Sequence, residues 1–378
     1  MQLDFHYYAT YAAAILAGFD HEESLQIAYS AQFTDCCTRT FLDTINAPLS
    51  AATTQTQAEL ADVPTDPVGL HDITRIWASF HFLPENLYAE REKTGRKYLR
   101  KYRLICGPNG TLVKDTVELA KGKGPAATGL AMHVLADTWA HRYFAGTPSL
   151  VINNTNYHFY EITEEGERPV RFNHNPASPD DPEKGIYTNT VPQGSEDSIM
   201  NLGHGRAGHL PDYSYARYRY MPAWGGYREI VKDNPSDYLH AFRQMIYALR
   251  YLKGEEGEAF QTETYDERAY VPYREEIEEI LTKRQLDASK DWKAFGERLS
   301  KEEIPDFAET LYQEEYRNAA VEEKENTMPG QFIRAALAQK SMVTNRIFSS
   351  GSLLAGFSVD YAKKGFRGIP DFRMLLKR

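Results

Sequence analysis

The feature that most constrains this chain is a set of ionisable residues inside an apolar segment. His133, Asp137 and His141 recur every four residues within 129–144, among alanine, leucine, valine and methionine. At 3.6 residues per turn, this spacing places all three on one helical face, within a fan of roughly 80°. Burying such side chains is costly without partners, and a metal ion is an efficient partner. The pattern therefore predicts a buried helix that binds a metal, with zinc favoured because imidazole and carboxylate suit it.

Helical patterns dominate the first part of the chain and predict a mainly α fold. Apolar periodicity and helix-ending signals predict helices over 11–19, 22–37, 129–144 and 236–252. Two short hairpins are also predicted, one from 98–105 and 111–117 and the other from 157–163 and 168–172. The stretch 173–193 is rich in Pro, Asp and Asn and predicts a long loop.

The sequence changes in character after about residue 260. Amphipathic helices rich in Glu and Lys are predicted over 274–284, 291–299, 304–323 and 331–347, and no histidine lies in this part. We therefore expect a helical metal-site domain over 1–260 and a helical extension over 261–378 that packs on it.

Composition narrows the classes of partner and compartment. With 43 basic and 53 acidic residues, the net charge of −10 argues against a broad nucleic-acid surface. Three cysteines, of which Cys36 and Cys37 are adjacent, do not suggest a disulfide framework and favour a reducing, cytoplasmic setting. The apolar run 11–19 is too short to cross a bilayer and follows no basic segment, so neither a transmembrane segment nor a signal peptide is predicted.

Further histidines and acids lie on both sides of the central triplet. All 11 histidines lie within the first 240 residues. Taken singly, each is more often structural than functional, but together they form an ordered set of candidate ligands. The set outside the triplet consists of His6, Asp35, His81, His204, His209 and Asp212.

In this order the set resembles the superfamily of zinc-dependent phospholipase C and single-strand-specific zinc nucleases, over about residues 1–250. Its specific motif is the HxxxD core of His133 and Asp137. The segments 4–8 and 208–212 also resemble an uncharacterised bacterial family. The resemblance implies an all-helical bundle that holds two or three zinc ions, with one or two small hairpins beside it here.

The resemblance also implies a role for each candidate. His133, Asp137 and His141 would be central ligands, with Asp137 bridging two ions. Asp35 would bind metal and act as orienter or general base for the attacking water, so that Asp35 and Asp137 are the candidate catalytic residues. Two further histidines would complete metal shells, and the last ion would be held near the end of the set. These residues are His6 and His81, followed by His204 with His209 or Asp212.

The chain departs from the family pattern in three places. It lacks the N-terminal Trp whose amino group is a ligand in that family. The spacing HxxxDxxxH replaces HxxxDxxxxxH and moves His141 by about half a turn. The spacing of the final histidine and acid also differs, which leaves open whether His204, His209 or Asp212 binds. A site of one or two metals would fit as well.

These observations favour a zinc-dependent hydrolase of phosphoesters or phosphodiesters that uses metal-activated water. Its substrate would be a small phosphorylated molecule or a lipid headgroup, with Arg142 and Arg206 as candidate phosphate contacts if they are not simply surface ion-pair residues. The alternative is a non-catalytic protein with a structural metal and a partner-binding surface on the helices after residue 260. A third hypothesis, an HD-type phosphohydrolase, rests on the dyad His71–Asp72 alone.

Overall fold

The computed structural model describes residues 1–63, 67–90, 102–155, 158–189, 201–222, 224 and 228–352. The fold is mainly helical, with a small antiparallel sheet, which confirms the predicted class. In these ranges no helix is both long enough and apolar enough to pass through a membrane.

A π-helix, Asp4–Ala9, opens the chain and runs directly into the first α-helix. The α-helices are α1 (Thr10–Leu16), α2 (His21–Phe33), α3 (Arg39–Thr44), α4 (Gln57–Asp62), α5 (Pro67–Phe80), α6 (Thr111–Ala120), α7 (Pro125–Ala140), α8 (Leu150–Asn153), α9 (Asn234–Lys253), α10 (Arg274–Thr282), α11 (Ser289–Ser300), α12 (Gln313–Asn318) and α13 (Met328–Ser349). The strands are β1 (Tyr160–Thr163), β2 (Gly166–Pro169), β3 (Arg171–Asn173), β4 (Ile186–Thr188), β5 (Arg217–Tyr220) and β6 (Ile230–Asp233). Short 3-10 turns occur at Leu49–Ala51, Pro182–Lys184, Gly205–Ala207, Leu210–Asp212, Val271–Tyr273 and Lys324–Asn326.

Helix α7 is the centre of the core. Pro125 starts the helix, where its missing N–H costs nothing, and every later residue of α7 is buried. Such a helix must be covered on all sides, and α2, α6, α9 and α13 pack around it. The approach of α2 is close at Gly129, where a Cβ would lie 2.1 Å from the carbonyl oxygen of Ile27. The buried helix predicted from the apolar segment is therefore present.

The sheet lies beside the end of α7. Its strands are antiparallel in the order β2-β1-β5-β6, and β3 pairs in parallel with β4 in a separate two-stranded sheet. Strands β1 and β2 form the second predicted hairpin, with Thr163 opposite Gly166. An aromatic cluster that includes Phe159, Tyr220 and Phe144 joins the sheet to the segment after α7. This packing holds the loop 201–212 against the helical core.

Helices after residue 260 pack directly on the π-helix, which carries His6, and on the helices around it. Trp292 of α11 contacts Phe5 of the π-helix at 6.1 Å between ring centroids. The carboxylate of Asp4 accepts a hydrogen bond of 3.1 Å from the N–H of Ala288, just before α11 begins. Helix α13 packs on α5 and α7. The predicted boundary at residue 260 stays a prediction.

Two predicted elements are wrong. Residues 111–117 do not form a strand, because the buried positions Leu112, Val113, Thr116, Val117 and Ala120 follow helical spacing in α6. Residues 304–323 do not form one long helix, and only α12 is helical there. Pro305 interrupts the pattern, and its carbonyl accepts a hydrogen bond from the hydroxyl of Tyr7.

The predicted loop 173–193 is only partly irregular in the structure. The end of β3, the turn Pro182–Lys184 and the strand β4 lie within 173–188. Residues 190–193 of that loop and residues 98–101 of the first hairpin lie outside the described residues.

Candidate metal centre

Five separate parts of the fold deliver imidazole and carboxylate groups to one place. The π-helix carries His6, a local geometry that is frequent at functional sites. Asp35 lies in the turn after α2, and His81 follows the end of α5. Helix α7 supplies His133 and Asp137, with His141 as its C-cap residue. The loop 201–212 supplies His204 and Asp212.

These side chains form three groups, and within each group the ligand atoms lie within 4.8 Å of one another. One group is His6, His133 and Asp137, and the second is Asp35, His81 and His133. The third is His141, His204 and Asp212. Each has the mixed nitrogen and oxygen donors that zinc accepts, so these buried groups could hold metal ions.

Asp137 lies at the centre, and its two oxygens face different neighbours. Its Oδ1 atom is 3.1 Å from Nε2 of His6. Its Oδ2 atom is 3.2 Å from Nε2 of His133 and 3.3 Å from Nδ1 of His81. Nδ1 of His141 lies 3.5 Å from the same oxygen. Asp137 therefore belongs to the first group and also lies near His81 of the second and His141 of the third.

Backbone carbonyls determine which nitrogen of three histidines faces the cluster. Nε2 of His81 lies 3.0 Å from the carbonyl oxygen of Thr53, and Nδ1 of His141 lies 2.7 Å from that of His81. Nδ1 of His204 lies 2.7 Å from the carbonyl oxygen of Gly208. A carbonyl can only accept, so each of these nitrogens donates its N–H outward. The opposite nitrogen of each ring then faces the carboxylates, the arrangement found around metal-binding histidines.

Two histidines have buried nitrogens without hydrogen bonds. Among the described residues, both ring nitrogens of His6 and Nδ1 of His133 have no hydrogen-bond partner, although Nε2 of His6 lies close to Oδ1 of Asp137 without hydrogen-bond geometry. The two rings stack with their centroids 3.9 Å apart. Buried polar atoms are nearly always satisfied in folded proteins, so imidazole nitrogens left without hydrogen bonds beside carboxylates fit the donor set of a metal site.

The amino group of Met1 also enters the cluster. It donates a hydrogen bond of 2.9 Å to Oδ1 of Asp137 and lies 3.3 Å from Oδ1 of Asp212 and 3.2 Å from Nε2 of His141. Burial opposes its charge, but the carboxylates outweigh that effect and raise its pKa to about 11. No sequence pattern marks this amino group, and the family resemblance implies such a ligand only for an N-terminal Trp.

The pKa shifts separate neutral ligands from charged ones. Burial lowers the pKa of His6, His133 and His204 to about 4 each, so these imidazoles are neutral near pH 7 and able to bind a metal. Burial also opposes ionisation of Asp137 and Asp212, yet neighbouring imidazoles, first His141 for Asp137 and His204 for Asp212, together with the Met1 amino group hold both pKa values well below the usual range. Burial raises the pKa of Asp35.

Solvent reaches the cluster on two sides. The side chain of Asp35 is 31% exposed and that of His204 is 17% exposed, whereas Asp137 is 1% exposed. A small molecule could therefore approach the carboxylate of Asp35 without unfolding the core.

The predicted site residues can now be located individually. Eight of the nine fall in the three groups. His209 does not: its side chain is 59% exposed, and its Nδ1 lies 3.0 Å from Oδ2 of Asp212. That pairing raises the pKa of His209. It places His209 next to a candidate ligand, outside the groups.

Other candidates have structural partners. Arg142 forms an ion pair of 3.0 Å with Asp237, and Arg206 donates to Oδ1 of Asn201 at 2.8 Å. Asp72 pairs with Arg39 at 2.8 Å. Neither residue of the dyad His71–Asp72 belongs to a metal-like group among the described residues.

Comparison with known proteins places the chain in a family without assigning an activity. Residues 1–347 match the family of unknown function DUF6765, and the chain belongs to it. No curated protein matches the chain, and no solved structure does.

Proposed function

We propose that this protein is a zinc-dependent hydrolase of phosphoesters or phosphodiesters, with a helical bundle of the zinc phospholipase C type. The observation that carries the proposal is the position of Asp137, a member of the first group whose oxygens also lie near His81 of the second group and His141 of the third. Two or three ions fit this arrangement. Their nature as zinc and the identity of each ligand are part of the proposal.

The chain's own residues would divide the work. Bound divalent ions lower the pKa of water towards neutrality and stabilise charge on phosphoryl oxygens. Asp137 would hold two of the metal positions together, because its oxygens face His6 on one side and His81 with His133 on the other. Asp35, the most exposed carboxylate, would orient the attacking water and accept its proton.

The substrate must be small or must offer a small phosphorylated end. Among the described members of the three groups, Asp35 and His204 are the most exposed, so the reactive phosphorus has to approach next to one of these two residues. A small phosphodiester or a lipid headgroup meets this requirement. Within the described ranges, no lysine or arginine forms an ion pair with Asp35, Asp137 or Asp212, so bound ions would supply the positive charge that attracts phosphate.

The burial of most candidate ligands favours a second function. His6 and His133 are fully buried, as structural metal ligands commonly are. On this view the metal stabilises a non-catalytic protein whose helices after residue 260 bind a partner. We favour the hydrolase, because exposure of Asp35 leaves a position open to substrate.

The test combines metal content with hydrolysis of bis(4-nitrophenyl) phosphate. We expect the purified full chain to contain zinc and to release nitrophenolate, and Asp137→Asn to lose both properties. Asp266→Asn, the same change at a buried carboxylate that pairs with Arg250 outside the three groups, is the matched control and should retain both. Tightly bound zinc without hydrolysis of this or other phosphoesters would support the structural alternative, and absence of any metal binding would refute both.

A further inference from the structure

The dipeptide His81–Phe82 contacts members of all three groups of candidate ligands. Nδ1 of His81 faces Asp35 at 3.6 Å and Asp137 at 3.3 Å. Its carbonyl oxygen accepts the N–H of His141 at 2.7 Å. The next ring, that of Phe82, stacks on His141 with centroids 4.8 Å apart and planes 25° apart. One short segment therefore contacts the first two groups through His81 and the third group through Phe82.

The ring of Phe82 also reaches His204, whose centroid lies 5.8 Å away at an interplanar angle of 50°. His141 and His204 are the two imidazoles of the third group, and their own centroids are 4.8 Å apart. The benzene ring is thus packed against both nitrogen ligands that this group offers.

Each of these two imidazoles donates one N–H to a carbonyl, of His81 or of Gly208. Nε2 of His141 also lies 3.1 Å from Oδ1 of Asp212 and 3.2 Å from the Met1 amino group, and Nε2 of His204 lies 3.6 Å from Oδ1 of Asp212. Rotation of either ring about its Cβ–Cγ bond would break these contacts. The aromatic face of Phe82 adds to this restraint, because the same rotation would also lose the ring contact.

The position of Phe82 is itself enforced. The residue is 2% exposed and lies in the buried aromatic cluster beside the sheet. At the tip of the ring, Gly203 adopts φ +56°, and a Cβ there would lie 2.2 Å from Cζ of Phe82. Only glycine at 203 leaves the ring this place, because any side chain would displace the ring or the backbone.

We infer that Phe82 is a positioning residue for a metal held by His141, His204 and Asp212. Gly203 leaves the space that the ring of Phe82 occupies. The inference rests on the proposed function. It predicts that loss of the aromatic ring weakens one ion of the cluster and leaves the ions at the other groups in place.

The test compares Phe82→Leu with Phe159→Leu in the full chain. Phe159 is a matched control, because it is 1% exposed in the same aromatic cluster and its ring partners there are aromatic residues rather than histidines. Zinc affinities are measured by competition with a chromophoric chelator, and the visible spectrum of the cobalt-substituted protein reports ligand geometry. We expect Phe82→Leu to lose roughly 10- to 100-fold in affinity for one ion, as for other residues that orient ligands.

A second variant guards against misfolding. Phe82→Met keeps much of the volume but no flat ring, and it should show the same selective loss with a changed cobalt spectrum. Unchanged affinities in both Phe82 variants, or an equal loss in Phe159→Leu, would overturn the inference. Wild-type protein that binds no metal would overturn the proposed function, whereas normal wild-type binding with unaffected Phe82 variants would refute the positioning role alone.

Discussion

Two carboxylates of the cluster, Asp137 and Asp35, should affect the stability of the metal-free protein in opposite directions when each is replaced by its amide. Asp137 is 1% exposed and is surrounded by positive or polarised groups, with the Met1 amino group 2.9 Å and His6 3.1 Å away. Asp35 is 31% exposed, and its nearest partners lie at 3.6 Å or beyond. Asp137 therefore compensates nearby charge, whereas Asp35 faces imidazoles at longer distances and carries the cost of burial together with repulsion from Asp137.

The magnitudes follow from these environments. Removing one partner of a buried ion pair leaves an uncompensated charge and costs about 3–5 kcal/mol, which we expect for Asp137→Asn without metal. Removing Asp35 relieves like-charge repulsion with Asp137 and the cost of burying charge, whose sign is visible in the raised pKa of Asp35. Because this group is partly solvated, Asp35→Asn should stabilise the metal-free protein by only about 0.5–1 kcal/mol.

The assay is urea denaturation with a chelator present, followed by zinc titration. Asp137→Asn should unfold at lower urea than the wild type and Asp35→Asn at slightly higher urea, while both lose tight zinc binding. Destabilisation by similar amounts in both variants would refute the account of the cluster's charges. Tight zinc binding in Asp35→Asn would remove that residue from the ligand set.

Three further outcomes are expected. Gly129→Ala should destabilise the protein by about 1–3 kcal/mol in urea denaturation, because the new methyl group meets the carbonyl of Ile27. Asp4→Ala should cost about 1–3 kcal/mol by leaving the N–H of Ala288 unpaired, and an unchanged midpoint would exclude this link. Lys340 is buried, and burial lowers its pKa to about 7, so unfolding takes up a proton between this value and about 10.4. The wild type should therefore gain about 1–2 kcal/mol relative to Lys340→Met between pH 7 and 9, measured from urea midpoints at each pH.

Periodicity was informative where one helix face or one buried helix determined the pattern. The segment around His133 and Asp137 was correctly predicted as a buried helix, since steps of four among apolar residues have few other solutions. The same principle missed α6, where Val113, Thr116 and Val117 suggested a strand although the buried positions follow helical spacing. β-Branched residues are weak evidence when burial decides the outcome.

The candidate ligands of the site could be predicted from the sequence, but the groups that orient them could not. Helical spacing among apolar residues predicted the triplet His133, Asp137 and His141, whereas the other candidates were implied by the resemblance of their order to a known family. All of these candidates except His209 meet in the three groups. The carbonyls of Thr53 and Gly208, which orient the histidines, carry no sequence signal. The same holds for the amino group of Met1, and the exposure of His209 depended on how the loop 201–212 folds.

Metal analysis of the purified full chain tests the central claim most directly. Elemental analysis combined with X-ray absorption at the zinc edge gives the number of ions per chain and the donor atoms around them. We predict two or three zinc ions bound by nitrogen and oxygen, with at least one lost in Asp137→Asn. A chain that carries no metal and binds none after zinc addition would contradict the account.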